Sequence, residues 1–212
     1  MSYRGDEQTF TDFGGGMKSN VSVHALPLNA ASYVQNIVLK PGGGFRQRYG
    51  DTVYNSSAMA AKAVTGLGYY KTIAGVEYLM AICDTKIYKS ELDGTMDDIT
   101  GAVTITSSDD NLWTFSQMND LSIAVGGDPN APIKWNATGN AAVLGGTPPN
   151  GKFGFQVKNR FFIGNTAANP SRIAWSILSN PEDWSGAGSG TADVWTNDGD
   201  ALTGYAILSN DV

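Results

Sequence analysis

The chain has 212 residues, a hydrophobic fraction of 42%, a charged fraction of only 16% and a formal net charge of −6. That length holds one large all-β domain or one domain with an appendage, and the acidic balance argues against a general nucleic-acid binder, which is normally basic. Cys83 is the only cysteine, so an intrachain disulfide is excluded, and no run approaches the roughly 18 apolar residues of a membrane span.

In chain order, Met1–Phe10 is polar and of mixed charge, without the apolar centre of a secretory signal, so synthesis and assembly are expected in the cytoplasm. Residues 1–57 then carry two triple-glycine turns, Gly14-Gly15-Gly16 and Gly42-Gly43-Gly44. Such turns imply a backbone that bends sharply or passes close to another surface. Asn29–Lys40 reads as one short helix or strand that Pro41 ends. A segment of this kind extends over neighbours rather than forming a core, so residues 1–57 are expected to be a docking arm.

Residues 58–212 read as short strands and tight turns. A phrase that ends in isoleucine closely followed by an aromatic returns three times: Ile87-Tyr88, Ile133-Lys134-Trp135 and Ile173-Ala174-Trp175. The isoleucines stand 46 and 40 residues apart, a period expected of propeller blades with several short strands each. The first unit is expected to hold strands over 67–72, 77–83, 86–90 and 96–100, and the second over 112–117, 121–125, 133–136 and 142–144. The third is expected over 153–157, 161–164 and 173–177, before the loop Ser179–Trp184. Alternation in Trp113, Phe115 and Gln117, and in Leu121, Ile123 and Val125, marks half-buried strands. A fourth unit opens with Leu202–Leu208 and stops at Asn210-Asp211-Val212, where the earlier units turn into their second strand. A strand edge left unpaired there is unfavourable, so the sequence is expected to be the front portion of a longer protein. The predicted fold class is all-β: a propeller-like array of short antiparallel blades, about three and the start of a fourth, behind an extended N-terminal arm.

Two sets of motifs carry a family resemblance. In the arm they are Phe13-Gly14-Gly15-Gly16-Met17, Leu26–Asn36 and Gly43–Gly50; farther on they are Gly126-Gly127-Asp128-Pro129, Pro132–Trp135, Asn159–Gly164, Arg172–Ser176 and Asn180–Trp184. Together they resemble the tail nozzle proteins of short-tailed bacteriophages, also called tail tubular protein B or phage stabilisation proteins. The resemblance spans most of the chain through loose motifs, and members of that family are usually much longer. It implies a virion protein, a propeller-containing subunit of a ring, commonly a hexamer, seated below the portal and its adaptor or connector. Such a ring seals the packaged genome and later lets double-stranded DNA pass without specific binding. Tail fibre or tail needle proteins are further implied partners, and membrane insertion by this chain is not expected.

No catalytic or metal site is expected, and no cofactor. His24 is the only histidine and lies in the arm, far from Cys83 in sequence, so neither a nucleophile–histidine pair nor a zinc ligand set assembles easily. Cys83 itself sits in the apolar run Leu79–Cys83, as a buried small hydrophobe does. The pairs Asp97-Asp98, Asp109-Asp110 and Glu182-Asp183 are adjacent, and neighbours on a strand point to opposite faces, so adjacency makes no acid–base pair. Asn197–Asp200 has the look of a calcium loop but lacks its spacing and closing glutamate. Lys40, Arg46 and Arg48 form the densest basic cluster and are the expected protein interface, with Trp184 as a loop anchor. Tyr88, Trp135 and Trp175 are the expected blade-packing aromatics, because each blade needs a large residue against its neighbour. The alternatives are a carbohydrate- or receptor-binding propeller of a phage or bacterial surface, betrayed by aromatics and carboxylates converging on one loop end, and a glycan-cleaving enzyme.

Overall fold

The computed structural model describes residues 14–40, 45–50, 54–55, 59–60, 62–106, 111–194 and 200–207. The motif residues Phe13 and 42–44, the pair Asp109-Asp110, Trp195, most of the 197–200 turn and the stop at 208–212 lie outside the described residues. The chain divides into two compact units, Met1–Val53 and Tyr54–Val212. Among the described residues the fold is all-β, with no α-helix and hence none able to cross a membrane.

The first unit holds four very short strands. Strand β1 (Gly16–Met17) pairs in parallel with β2 (Ala30–Ala31), and one 3-10 turn, Val23–Ala25, lies between them. β3 (Ile37–Leu39) pairs antiparallel with β4 (Phe45–Gln47) in the register Val38 opposite Arg46. The segment read as one helix or strand is thus two strands of two and three residues. No described side chain of 14–50 reaches full burial.

The second unit consists of three antiparallel sheets of four strands, each a simple meander. The first sheet runs β5 (Val64–Lys71), β6 (Glu77–Cys83), β7 (Lys86–Ser90), β8 (Asp97–Asp98). In the second, β9 (Thr114–Met118), β10 (Leu121–Val125), β11 (Ile133–Trp135) and β12 (Ala142–Val143) follow in order. The third comprises β13 (Gly151–Val157), β14 (Arg160–Thr166), β15 (Arg172–Trp175) and β16 (Gly190–Asp193). Two-residue turns fix the hairpins: Asp84, Asn119, Asp120, Lys158 and Asn159 take the left-handed backbone such turns demand.

Alternation along each strand sends side chains to two faces, and the second sheet is covered on both. Toward the first sheet it presents Trp113, Phe115, Ala124, Ile133 and Trp135, which meet Tyr70, Tyr78, Met80, Ile82 and Ile87. From its other face Met118, Ile123 and Val125 meet Phe161 and Ile163 of the third sheet. Close approach depends on missing side chains. A Cβ on Gly68 would lie 2.4 Å from Phe115 Cβ, and one on Gly154 would lie 2.5 Å from Val125 Cγ2. Backbone bonds join the layers as well, Trp113 N–H to Thr65 O (2.9 Å) and Gly127 N–H to Gly151 O (2.7 Å).

Three strand expectations need correction. The strand over 96–100 is only Asp97–Asp98, because Asp98 turns its carboxylate back onto Thr100 N–H (2.9 Å) and ends the extended run. β16, absent from the sequence reading, completes the third sheet by pairing with β15 from Arg172 opposite Asp193 to Trp175 opposite Gly190. Residues 202–207 form no strand. A ladder needs a partner along its length, whereas this segment bonds singly, Leu202 N–H to Pro170 O and Asn165 Nδ2 to Leu202 O. Its Tyr205 ring nevertheless stacks on Phe155 at 4.3 Å.

Candidate functional site

Lys40, Arg46 and Arg48 lie along the β3–β4 pair of the first unit, Lys40 directly after β3 and Arg48 directly after β4, all exposed. The Arg48 N–H bonds to Asn36 O at 2.8 Å and closes the hairpin's base. Arg46 is oriented by Tyr49: its Nη1 donates to the phenol oxygen at 3.1 Å and its guanidinium carbon lies 4.8 Å from the ring centre. An exposed cation–π contact contributes about 0.5–1 kcal/mol, enough to favour one direction for the guanidinium. A shallow hollow lined by Asn36, Gln47, Arg48, Tyr49 and Gly50 lies beside it. The arrangement offers planar and point cations beside two exposed rings, Phe45 and Tyr49. Its chemistry suits carboxylates on a protein surface.

The expected packing aromatics separate into three environments. Trp135 is 4% exposed and packs edge-on to Tyr78 (4.9 Å) and Tyr70 (5.9 Å), with its indole N–H donated to Gly139 O. Tyr88 is buried outside that cluster and donates its O–H to Met59 O at 2.6 Å. Trp175 is half-buried on the third sheet and lies 6.2 Å from Phe162. Trp135 stands opposite Ser122, the second residue of β10, but Trp175 stands opposite Phe162, the third of β14. One residue of register turns a side chain to the other face. Trp135 therefore faces the preceding sheet, and Trp175 faces away from it. Trp184 is half-buried at the inter-sheet core, edge-on to Phe161 at 6.5 Å, with its N–H donated to Pro181 O.

The loop that carries Trp184 holds a polar contact that sequence reading missed. Lys134 donates to Glu182 Oε1, and the same carboxylate accepts the Gly145 N–H at 3.0 Å. Burial alone would raise the Glu182 carboxyl, yet the lysine and the backbone N–H hold it below its ordinary value. Asn119 of the β9–β10 turn also donates to Ser179 O, so the loop is tied to the second sheet at two points. A cleft of about 370 Å3 opens here, lined among others by Lys134, Asn136, Thr138, Asn140 and Glu182. The one hint in sequence was Lys134, a lone charge in the phrase Ile133-Lys134-Trp135.

Three further carboxylates, Asp97, Asp98 and Asp183, are held in structural bonds. Asp98 pairs with Lys86 (2.6 Å) and Asp97 with Lys89 (3.0 Å), while Asp183 accepts the N–H groups of Ser185 and Gly186. Cys83 is buried with its thiol directed at Lys62 O, and His24 is exposed in the 3-10 turn. Among the described residues no three His, Cys, Asp or Glu side chains are grouped to hold a metal ion. Comparison with known proteins returns no match to a family model, to a curated protein or to a solved structure.

Proposed function

We propose that this chain is a structural subunit of a short-tailed phage tail nozzle, a ring below the portal and adaptor that retains the genome and then conducts it. In this reading the three meander sheets are blades of a β-propeller, and residues 1–57 are the arm by which the subunit docks. The observation that carries it is the serial packing of three like sheets whose two outer faces keep apolar side chains. On the first sheet Leu67 and Tyr69 are exposed, at 65% and 58%. The third presents Phe155, Phe162 and Trp175, with Tyr205 already laid on Phe155. Such faces call for further layers of the same kind. A stiff stack of sheets suits a conduit wall, whose work is mechanical. A subunit held by many weak contacts assembles firmly only as a ring.

The competing reading, a glycan-binding propeller, needs exposed rings beside polar groups at one loop end. The cleft near Glu182 has the polar groups, but its Trp135 ring is covered by Tyr70 and Tyr78. The deciding experiment is the native mass of the purified chain, alone and mixed with a portal–adaptor ring. A discrete ring, or assembly on the connector only, is the expected result. A monodisperse monomer that ignores the connector overturns the nozzle reading.

A further inference from the structure

The two units differ in charge as well as in burial. The first unit, Met1–Val53, holds five basic and four acidic residues, a net of +1, but its stretch 14–50 contains Lys18, Lys40, Arg46 and Arg48 and not one Asp or Glu. Residues 54–212 contain sixteen acidic residues against nine basic ones, a net of −7. The cationic stretch also exposes rings that globular surfaces usually cover: Tyr33 is 71% and Tyr49 74% accessible, and all three residues of β4 are exposed. A two-stranded ribbon this short does not stand alone in water.

We infer that the β3–β4 hairpin is an inter-subunit clasp, which docks Lys40, Arg46 and Arg48 onto the acidic sheet unit, residues 54–212, of a second copy of this chain. Charge complementarity selects the occupant. A copy of the same chain carries the opposite sign in its sheet unit, and a ring puts such copies side by side at high local concentration. The inference rests on the ring reading only for that proximity. Arginine is suited to the task because its planar fork takes a carboxylate in two parallel hydrogen bonds, and the Tyr49 ring already directs Arg46. Contacts of this type are exposed at their rim and weaken with salt, so the clasp sets register and assembly rate more than final affinity.

The test uses the full chain. Self-association is followed by mass photometry at ~50 mM and ~500 mM salt, for the wild type, for Arg46→Glu with Arg48→Glu, and for Arg46→Lys with Arg48→Lys. The expected result is oligomers favoured at low salt, weakened about tenfold or more by the double charge reversal and largely retained by the lysine pair. A zero-length carbodiimide cross-link on an equal mixture of 14N and 15N chains is expected to join Lys40 to carboxylates of 54–212 in mixed-label peptides. The inference is overturned if Lys40 links only within one chain, if the charge-reversed variant associates like the wild type, or if the wild type does not self-associate. It is equally overturned if charge reversal lowers only retention on duplex DNA, which would reassign the hairpin to nucleic acid. Failure of the nozzle reading is separable: self-association through the hairpin, with no assembly on the connector, removes that reading and leaves the clasp.

Discussion

Residues 14–50 and the sheet unit hold similar apolar side chains and treat them in opposite ways. In the first, Met17, Leu28, Tyr33, Phe45 and Tyr49 are exposed; in the second, Tyr70, Met80, Ile82, Phe161 and Ile163 are wholly or almost wholly buried. Hydrophobicity alone does not decide the outcome. A four-stranded sheet has enough area to cover the face of another, and glycines such as Gly68 let the two approach. Strands of two and three residues have no such area. The lesson is that a core here is a property of paired sheets, and side chains without a facing sheet stay exposed.

Truncation breaks this comparison most directly. Phe161→Ala empties a site packed by Met118, Ile123 and Trp184, and an aromatic-to-alanine change in a core costs about 3–5 kcal/mol. Tyr33→Ala removes an exposed ring whose hydroxyl donates to Gln35 Oε1, and is expected to stay within about 0.5 kcal/mol. Urea unfolding of both variants checks the contrast. An equal loss of stability in the two would mean that Tyr33 belongs to a core after all.

A second pair of variants sharpens the account of how the sheets meet. Gly68→Ala places a methyl carbon 2.4 Å from Phe115 Cβ, closer than real contacts allow, so the first two sheets must separate or Phe115 must move. The cost of such overpacking is about 1–3 kcal/mol. Gly50→Ala, in the first unit, meets nothing within 4 Å among the described residues and is expected to be close to neutral. A neutral Gly68→Ala, read from the midpoint of thermal unfolding, would show that the sheets are not in close contact there.

How much of this could be read from sequence follows the same division. The second sheet was legible almost residue by residue because Trp113 and Phe115 alternate, Leu121, Ile123 and Val125 alternate, and Asn119-Asp120 announces the turn between them. β16 was not legible, since Gly-Thr-Ala-Asp carries no apolar alternation and owes its conformation to its ladder with β15. Trp135 and Trp175 share a spelling but not a face, because the repeated phrase slips by one residue of register between the second and third sheets. Glu182 and Lys134 are 48 residues apart in sequence, and only the packing of the Trp184 loop on the second sheet brings them together. The basic cluster was legible because its residues are neighbours on one hairpin.

The smallest effect concerns the ion pairs that the sheet unit makes for itself. Burial works to raise the Asp98 carboxyl, but the Lys86 ammonium and the hydroxyl and N–H of Thr100 outweigh it and hold the group down at about 2. In the unfolded chain an aspartate titrates near its ordinary value of about 3.9. A carboxyl whose folded value is depressed contributes stability that is present above the unfolded value and is lost as pH falls toward the folded one. The loss attributable to this pair is therefore expected between about pH 4 and pH 2, and should vanish in Asp98→Asn. Because both side chains are more than one third exposed, solvent screening keeps the contribution under ~1 kcal/mol. The sheets should survive its loss, as the buried aromatic and aliphatic layers carry the fold. If Asp98→Asn instead unfolded the unit at neutral pH, the edge strand β8 and its ion pairs, rather than the layers between sheets, would be what holds the first sheet in place.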